Sequence, residues 1–297
     1  MDDPSRIASG TPATRRHPSW IKTRFRAGER YRYLKQILRE KGLHTVCEEA
    51  ECPNIGECWG HGTATFMLMG DTCTRGCTFC AVGKGKPLAL DAAEPEHIAE
   101  AIAALKLDYA VLTSVNRDDL PDEGARHCAD TIRAIRRRLP SCRVEALVPD
   151  FHGRRELIDI VAQAPLFVYA HNLETVPRLY RRVRPGSDYQ RSLGVLRTAK
   201  ACRPDLITKS SLMLGLGETH AELTAVFQDL REHDCDVLTL GQYLKPSVDQ
   251  LDIFRYVTPA EFASLKEEAD ALGFRHVVSG PLVRSSYHAW EVHDAEG

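Results

Sequence analysis

Six of the ten cysteines in this 297-residue chain fall between positions 47 and 80, in two triplets. Cys47, Cys52 and Cys58 form the first, and Cys73, Cys77 and Cys80 the second. Each triplet is one ligand short of a closed four-coordinate zinc site, and a disulfide framework consumes cysteines in pairs. Two sets of three suggest two iron–sulfur clusters, each leaving one iron for a ligand other than cysteine.

The composition is that of a water-facing globular chain, with 43% hydrophobic and 27% charged residues. Its length suits one large α/β domain or two ordinary ones. A net charge of −2 gives no global attraction to nucleic acid or membrane. The charge is uneven, however: residues 1–41 carry +7 and the remainder −9. That basic N-terminal stretch reads as a solvated arm or as a docking strip for an acidic partner. No apolar run reaches the ~20 residues of a membrane span, and the first residues lack the apolar core of a secretion signal. Ten cysteines without such a signal point to a reducing compartment, so the expected location is the cytoplasm.

Residues 1–30 read as an extended arm, followed by a helix over Tyr31–Glu40 that Gly42 stops. The first triplet then lies in a loop-rich stretch with short helical turns at most. Beyond Ala64, short apolar runs alternate with helical patterns. Strands are expected at Thr65–Gly70, Tyr109–Ser114, Arg143–Val148, Leu166–His171, Ile207–Leu214 and Val237–Gln242. Helices are expected near Pro95–Leu105, Gly124–Arg138, Leu157–Ala162, Tyr189–Ala201, Thr219–Glu232 and Pro259–Leu272. Six βα units of this kind build a parallel sheet, open or rolled into a partial barrel. No GxGxxG follows a strand, which counts against a dinucleotide-binding domain. Polar residues gather at the strands' C-terminal ends, the face at which barrels place their active sites.

The second triplet, Cys73–Thr74–Arg75–Gly76–Cys77–Thr78–Phe79–Cys80, has the spacing Cx3Cx2C directly after the first strand, with an aromatic before its last cysteine. This loop resembles that of the radical S-adenosylmethionine enzymes. The resemblance implies an α/β fold, a partial (β/α)6 TIM-like barrel with N-terminal and C-terminal extensions. The barrel is expected over residues 61–258, the arm and first triplet over 1–60, and the last helix and a terminal Arg–Ser–Ser–Tyr segment over 259–297. It further implies a [4Fe–4S] cluster on Cys73, Cys77 and Cys80 whose fourth iron binds S-adenosylmethionine. The cofactor then carries the difficult chemistry while the protein orients the reactants and excludes water.

The first triplet, with spacing Cx4Cx5C, joins three further segments: Pro18–Lys22, His44–Ala50 and Gly280–Ala289. Together these motifs resemble the lipoyl synthase family over nearly the whole chain, from about Pro18 to Ala289. The resemblance implies an auxiliary [4Fe–4S] cluster held by Cys47, Cys52, Cys58 and a serine of Arg284–Ser285–Ser286–Tyr287, taken as Ser286 with Ser285 as the alternative. A serine oxygen is a harder ligand than thiolate, which suits a cluster that is opened to donate its sulfur. The implied activity is a sulfurtransferase that inserts two sulfur atoms, at C6 and C8, into a protein-bound octanoyl group, consuming two S-adenosylmethionine per product. Expected partners are an octanoylated lipoyl domain or H-protein-like carrier, an electron donor such as ferredoxin or flavodoxin, and an iron–sulfur carrier. A ferredoxin-like carrier is the non-enzyme rival, but six βα units are more scaffold than electron transfer needs.

Asn172 and Glu218, just past the fourth and fifth strands, are the preferred cosubstrate contacts. Arg133, Arg136, Arg137 and Arg138 read as a solvated helix face. Arg178, Arg181, Arg182 and Arg184 read either as surface charge or as a contact for an acidic carrier. Cys128, Cys142, Cys202 and Cys235 read as small buried apolar residues.

Overall fold

The computed structural model describes residues 17–21, 28–40, 45, 48, 52, 54–60 and 63–287. The expected N-terminal arm before His17 and Cys47 itself lie outside the described residues. Helix α1 (Glu29–Glu40) and the short α2 (Ile55–Gly60) precede the sheet. Seven parallel strands follow in the order β1 (Thr63–Leu68), β4 (Tyr109–Ser114), β5 (Arg143–Leu147), β6 (Val168–Ala170), β7 (Ile207–Leu214), β8 (Val237–Gln242) and β9 (His276–Gly280). Parallel neighbours require crossover connections, and helices supply them. These are α3 (Glu94–Ala104), α4 (Ala125–Arg138), α5 (Arg155–Ala162), α6 (Tyr180–Val183), α7 (Tyr189–Cys202), α8 (His220–Glu232) and α9 (Pro259–Ala271). The short strands β2 (Thr72–Cys73) and β3 (Gly83–Lys84) pair with each other apart from the main sheet.

The period-2 geometry of a strand sends alternate side chains to opposite faces. Ala64, Phe66, Leu68, Ala110, Leu112, Val144 and Ala146 therefore pack against the helices in one large core cluster. Their neighbours face inward, and the interior holds a charged pair. Lys209 Nζ lies 2.9 Å from a Glu145 oxygen, both side chains are 1% exposed, and Tyr109 donates its hydroxyl to the same carboxylate. Helix starts follow from sequence: Thr219 with Glu222, and Thr258 with Glu261, form reciprocal capping boxes at α8 and α9.

All six expected strands are present, within two residues of their expected limits. The βα alternation runs on past 258, because α9 leads into a seventh strand, β9, paired with β8 from Val237↔His276 to Gly241↔Gly280. His–Val–Val–Ser–Gly is too short and too mixed to read as a strand by pattern alone. Among the described residues no pairing joins β9 back to β1, so the barrel stays open along that seam.

Candidate iron–sulfur and cosubstrate sites

After β1 the chain passes through Met69 and Gly70, both at positive φ, and turns sharply into the Cys73–Cys80 loop. Backbone ties hold this loop on every side. Thr74 N donates to Asn116 O (3.1 Å), Thr78 N to Val183 O (3.0 Å), and Leu251 N to Thr78 O (3.1 Å). Arg75, between two of the cysteines, anchors the loop to the barrel. Its guanidinium donates to both oxygens of Asp118 at 2.8–3.2 Å and lies 2.8 Å from Asp150, which Arg191 grips from the other side at 2.8 Å. Burial alone would raise the Asp150 carboxyl. The hydrogen bond and charge of Arg75 outweigh it and hold the group well below the usual carboxylate range.

Three thiols face one cavity of about 500 Å3, a size ordinary for small-molecule sites. Cys73 Sγ accepts from the backbone N–H groups of Arg75 (3.4 Å) and Asn116 (3.3 Å), the polarity a metal-bound thiolate needs. Burial pushes the Cys77 thiol up, and the Cys80 thiol up to about 11. Deprotonated thiolates there call for a cationic partner, and metal coordination supplies one. The donor set thus fits a cluster with three protein thiolates.

Opposite the thiols, Asn172 donates from Nδ2 to Glu174 Oε1 (3.0 Å), while its Oδ1 is buried without a partner. His171 has Nδ1 2.8 Å from Val148 O, which fixes that nitrogen as the donor and leaves a buried Nε2 unpartnered. Burial, aided by the charge of Arg184, lowers the His171 pKa to about 4, so the ring is neutral. Arg184 is buried rather than on the surface, so it leaves the set read as a possible carrier contact. It donates to Asn172 O (2.7 Å) and Tyr180 Oη (2.9 Å), both neutral acceptors, and its Nε has no partner. A buried guanidinium without a bonded carboxylate is a ready anion site. The strand-end asparagine pointed to this wall, but only the tertiary structure brought Arg184 to it.

Glu218 is placed elsewhere. Its carboxylate accepts from the backbone N–H groups of Gly215 (2.6 Å) and Leu216 (2.9 Å), holding the turn after β7, and it does not line the cavity. An acidic residue two or three positions past a tight turn closes that turn, and the sequence pattern did not separate this from a ligand role. Lys209 is likewise committed to Glu145. Of the scattered cysteines, Cys128, Cys142 and Cys235 are buried as expected, and Cys202 is half-buried.

The second site lies at the open seam. Cys52 and Cys58 line a narrow cleft of about 10 Å3 with Asn54, Thr63, Thr65, Arg284, Ser286 and Tyr287. Ser286, not Ser285, faces the cleft. The chain leaving β9 crosses to the segment before β1 and is clamped there: Asn54 Nδ2 donates to Leu282 O (2.6 Å), and Tyr287 Oη to Glu57 (3.2 Å). Gly241, at the end of β8, permits this crossing, since a Cβ there would lie 2.1 Å from Val283 O. Burial raises the Cys52 thiol, opposed by the Asn54 N–H and the Arg284 charge. Two thiols and a hydroxyl converging from opposite ends of the chain are a donor set suited to metal, with room in the ligand count for Cys47.

Residues 67–230, more than half of the chain, match the radical SAM superfamily. Solved structures of methylornithine synthase (PylB; TM-score 0.55, 12% identity, 82% of this chain and 80% of that one) and of the FeFe-hydrogenase maturase HydG from Carboxydothermus hydrogenoformans (TM-score 0.56, 13% identity, 89% and 78%) share the fold. The chain is therefore a radical SAM protein with a partial-barrel fold. Residues 5–52 match the N-terminal domain of lipoyl synthase. Lipoyl synthases from Thioalkalivibrio sulfidiphilus (58% identity, 92% of this chain and 86% of the relative) and Chloroflexus aggregans (55%, 95% and 92%) extend the match over nearly the full length. The chain belongs to the lipoyl synthase family.

Proposed function

We propose that the two sites divide the lipoyl synthase reaction between them, the barrel cavity generating the radical and the seam cleft supplying sulfur. The enzyme inserts sulfur at C6 and C8 of a protein-bound octanoyl chain, using S-adenosylmethionine and two [4Fe–4S] clusters. Cys73, Cys77 and Cys80 would hold one cluster, and Cys47, Cys52, Cys58 and Ser286 the other. When bound, the first supplies the electron that breaks the cosubstrate's carbon–sulfur bond, and the second the sulfur.

The chain's own residues do the rest. Arg75, locked between Asp118 and Asp150, fixes the loop so that three thiols stay on one wall. Asn172 and Arg184 offer an unpartnered acceptor and an uncommitted cation to the amino-acid end of the cosubstrate. The buried, neutral His171 adds a second acceptor without adding charge. Apolar side chains such as Met67, Val115 and Leu147 line the remaining wall, which suits a fatty chain and keeps water from the radical. Glu218 acts at a distance, by holding the turn after β7.

One observation carries this reading: the serine from the C-terminal end sits on the same cleft as Cys52 and Cys58, while the other thiols line a separate, larger cavity. Ferredoxin or flavodoxin would deliver electrons, and an iron–sulfur carrier would rebuild the consumed cluster. No helix among the described residues is long and apolar enough to cross a membrane, and the reducing chemistry fits a cytoplasmic setting. The test is mass spectrometry of an octanoylated lipoyl-domain peptide after anaerobic incubation with reconstituted enzyme, reductant and S-adenosylmethionine. Gain of two sulfur atoms is expected; an unchanged peptide alongside 5′-deoxyadenosine release would overturn the sulfur-donor role of the cleft.

A further inference from the structure

We propose that Arg284 is a positioning residue whose fixed positive charge retains the anionic ligand set and its cluster in the seam cleft. The inference rests on the assignment of the auxiliary cluster to that cleft. Arg284 lines the cleft with Cys52, Cys58 and Ser286. Its Nη1 donates to Val283 O (2.8 Å) and Gln242 O (3.3 Å), two neutral acceptors. Among the described residues no carboxylate lies within ion-pair distance of it.

An arginine is charged under all ordinary conditions, and Arg284 is half-buried, so leaving its charge without a counter-ion is costly. The neighbours able to balance it are the cleft's own donors. Three thiolates and a serine alkoxide together outweigh the positive charge of a cubane core, so the loaded cleft is anionic. Net charge around a cluster governs both its retention and its potential. At the barrel site Arg75 is matched by Asp118 and Asp150, and the unmatched cation that faces the thiols is Arg184, whose charge opposes the upward push of burial on the Cys77 thiol. The seam site repeats that arrangement with Arg284. Arg284 is the cation that the seam site keeps uncommitted, and it is carried on the same segment as the serine ligand. Insertion of that segment therefore delivers the ligand and its counter-charge together.

The test uses a Cys73→Ala/Cys77→Ala/Cys80→Ala background, in which the seam site alone takes iron. Arg284→Gln keeps donors for both carbonyls but removes the charge, and Arg284→Lys keeps the charge. After anaerobic reconstitution, iron release to a chelator and the cluster's reduction potential are measured. Arg284→Gln is expected to release iron about tenfold faster, the scale of one charge-assisted interaction, and to show a lower potential, while Arg284→Lys stays within about twofold of the parent. Equal behaviour of Arg284→Gln and the parent overturns the proposal. So does equal impairment of the two variants, which would make the hydrogen-bond geometry decisive. Should Arg284→Gln unfold, the potential of the Arg284→Lys cluster decides: unchanged supports the charge role, lowered overturns it. If the background protein itself takes up no iron, the cluster assignment fails instead of the role of Arg284.

Discussion

Cys73, Cys77 and Cys80 sit within one loop, tied down by charge: Arg75 is held by Asp118 and Asp150, and Asp150 by Arg191. Cys52 and Cys58 meet Ser286 across most of the chain, as the clamp between Asn54 and Leu282 spans 228 positions. The first site opens on about 500 Å3, and the second on about 10 Å3. A local loop on a barrel rim can hold a reusable centre beside a roomy substrate cavity. The seam cleft gets its serine from a terminal segment held by Asn54 on Leu282 and by Tyr287 on Glu57. A donor set held within one loop suits a permanent electron source, and one assembled from both ends of the chain suits a centre that gives up its sulfur.

The sharpest way to break this division is to remove one thiol from each site. Cys77→Ala is expected to abolish 5′-deoxyadenosine formation, followed by chromatography of the reaction. Cys52→Ala is expected to retain it while forming no lipoyl product. If Cys52→Ala still yields product, the two roles are not separate.

Removing the ionic anchor comes next. Asp150→Ala strips a buried carboxylate from between Arg75 and Arg191, and denaturant unfolding is expected to show a loss of about 3 kcal/mol. A negligible change would mean that the backbone ties alone hold the loop. At the seam, Gly241→Ala forces Val283 away from β8. Displacing a ligand segment by about 1 Å lowers product formation on the order of 100-fold, while 5′-deoxyadenosine release continues. Parallel loss of both products would show that the sites are mechanically coupled.

The smallest effect concerns the neutral His171. Its pKa lies at about 4 in the folded chain against an ordinary 6.5. The unfolded chain therefore takes up the proton first. The stabilising preference for the neutral ring is complete above pH 6.5 and is lost as pH falls towards 4, with a slope of about 1.4 kcal/mol per pH unit. His171→Gln should flatten that part of the stability profile, and an unchanged slope would assign it to other groups.

Six of the seven strands of the main sheet and six of the helices around them are legible along the chain, because periodicity is a local property. The place of Asn172 on the cavity wall is legible for the same reason: it lies just past a strand end. Glu218 faces its own turn, a placement the sequence leaves open because a carboxylate beside a glycine turn can face either its own backbone or a ligand. Arg184 was grouped with its exposed neighbours, since four arginines in seven positions give no sign of which one the barrel swallows.

Sequence alone determined the donor chemistry, the order of the elements and the family motifs, all carried by residue type at short separation. Tertiary structure decided which serine faces Cys52 and Cys58, which arginines lose their solvent, and that a seventh strand carries the terminal segment to the seam. Those outcomes depend on contacts between residues far apart in the chain, whose free energy exists only once the sheet has brought them together.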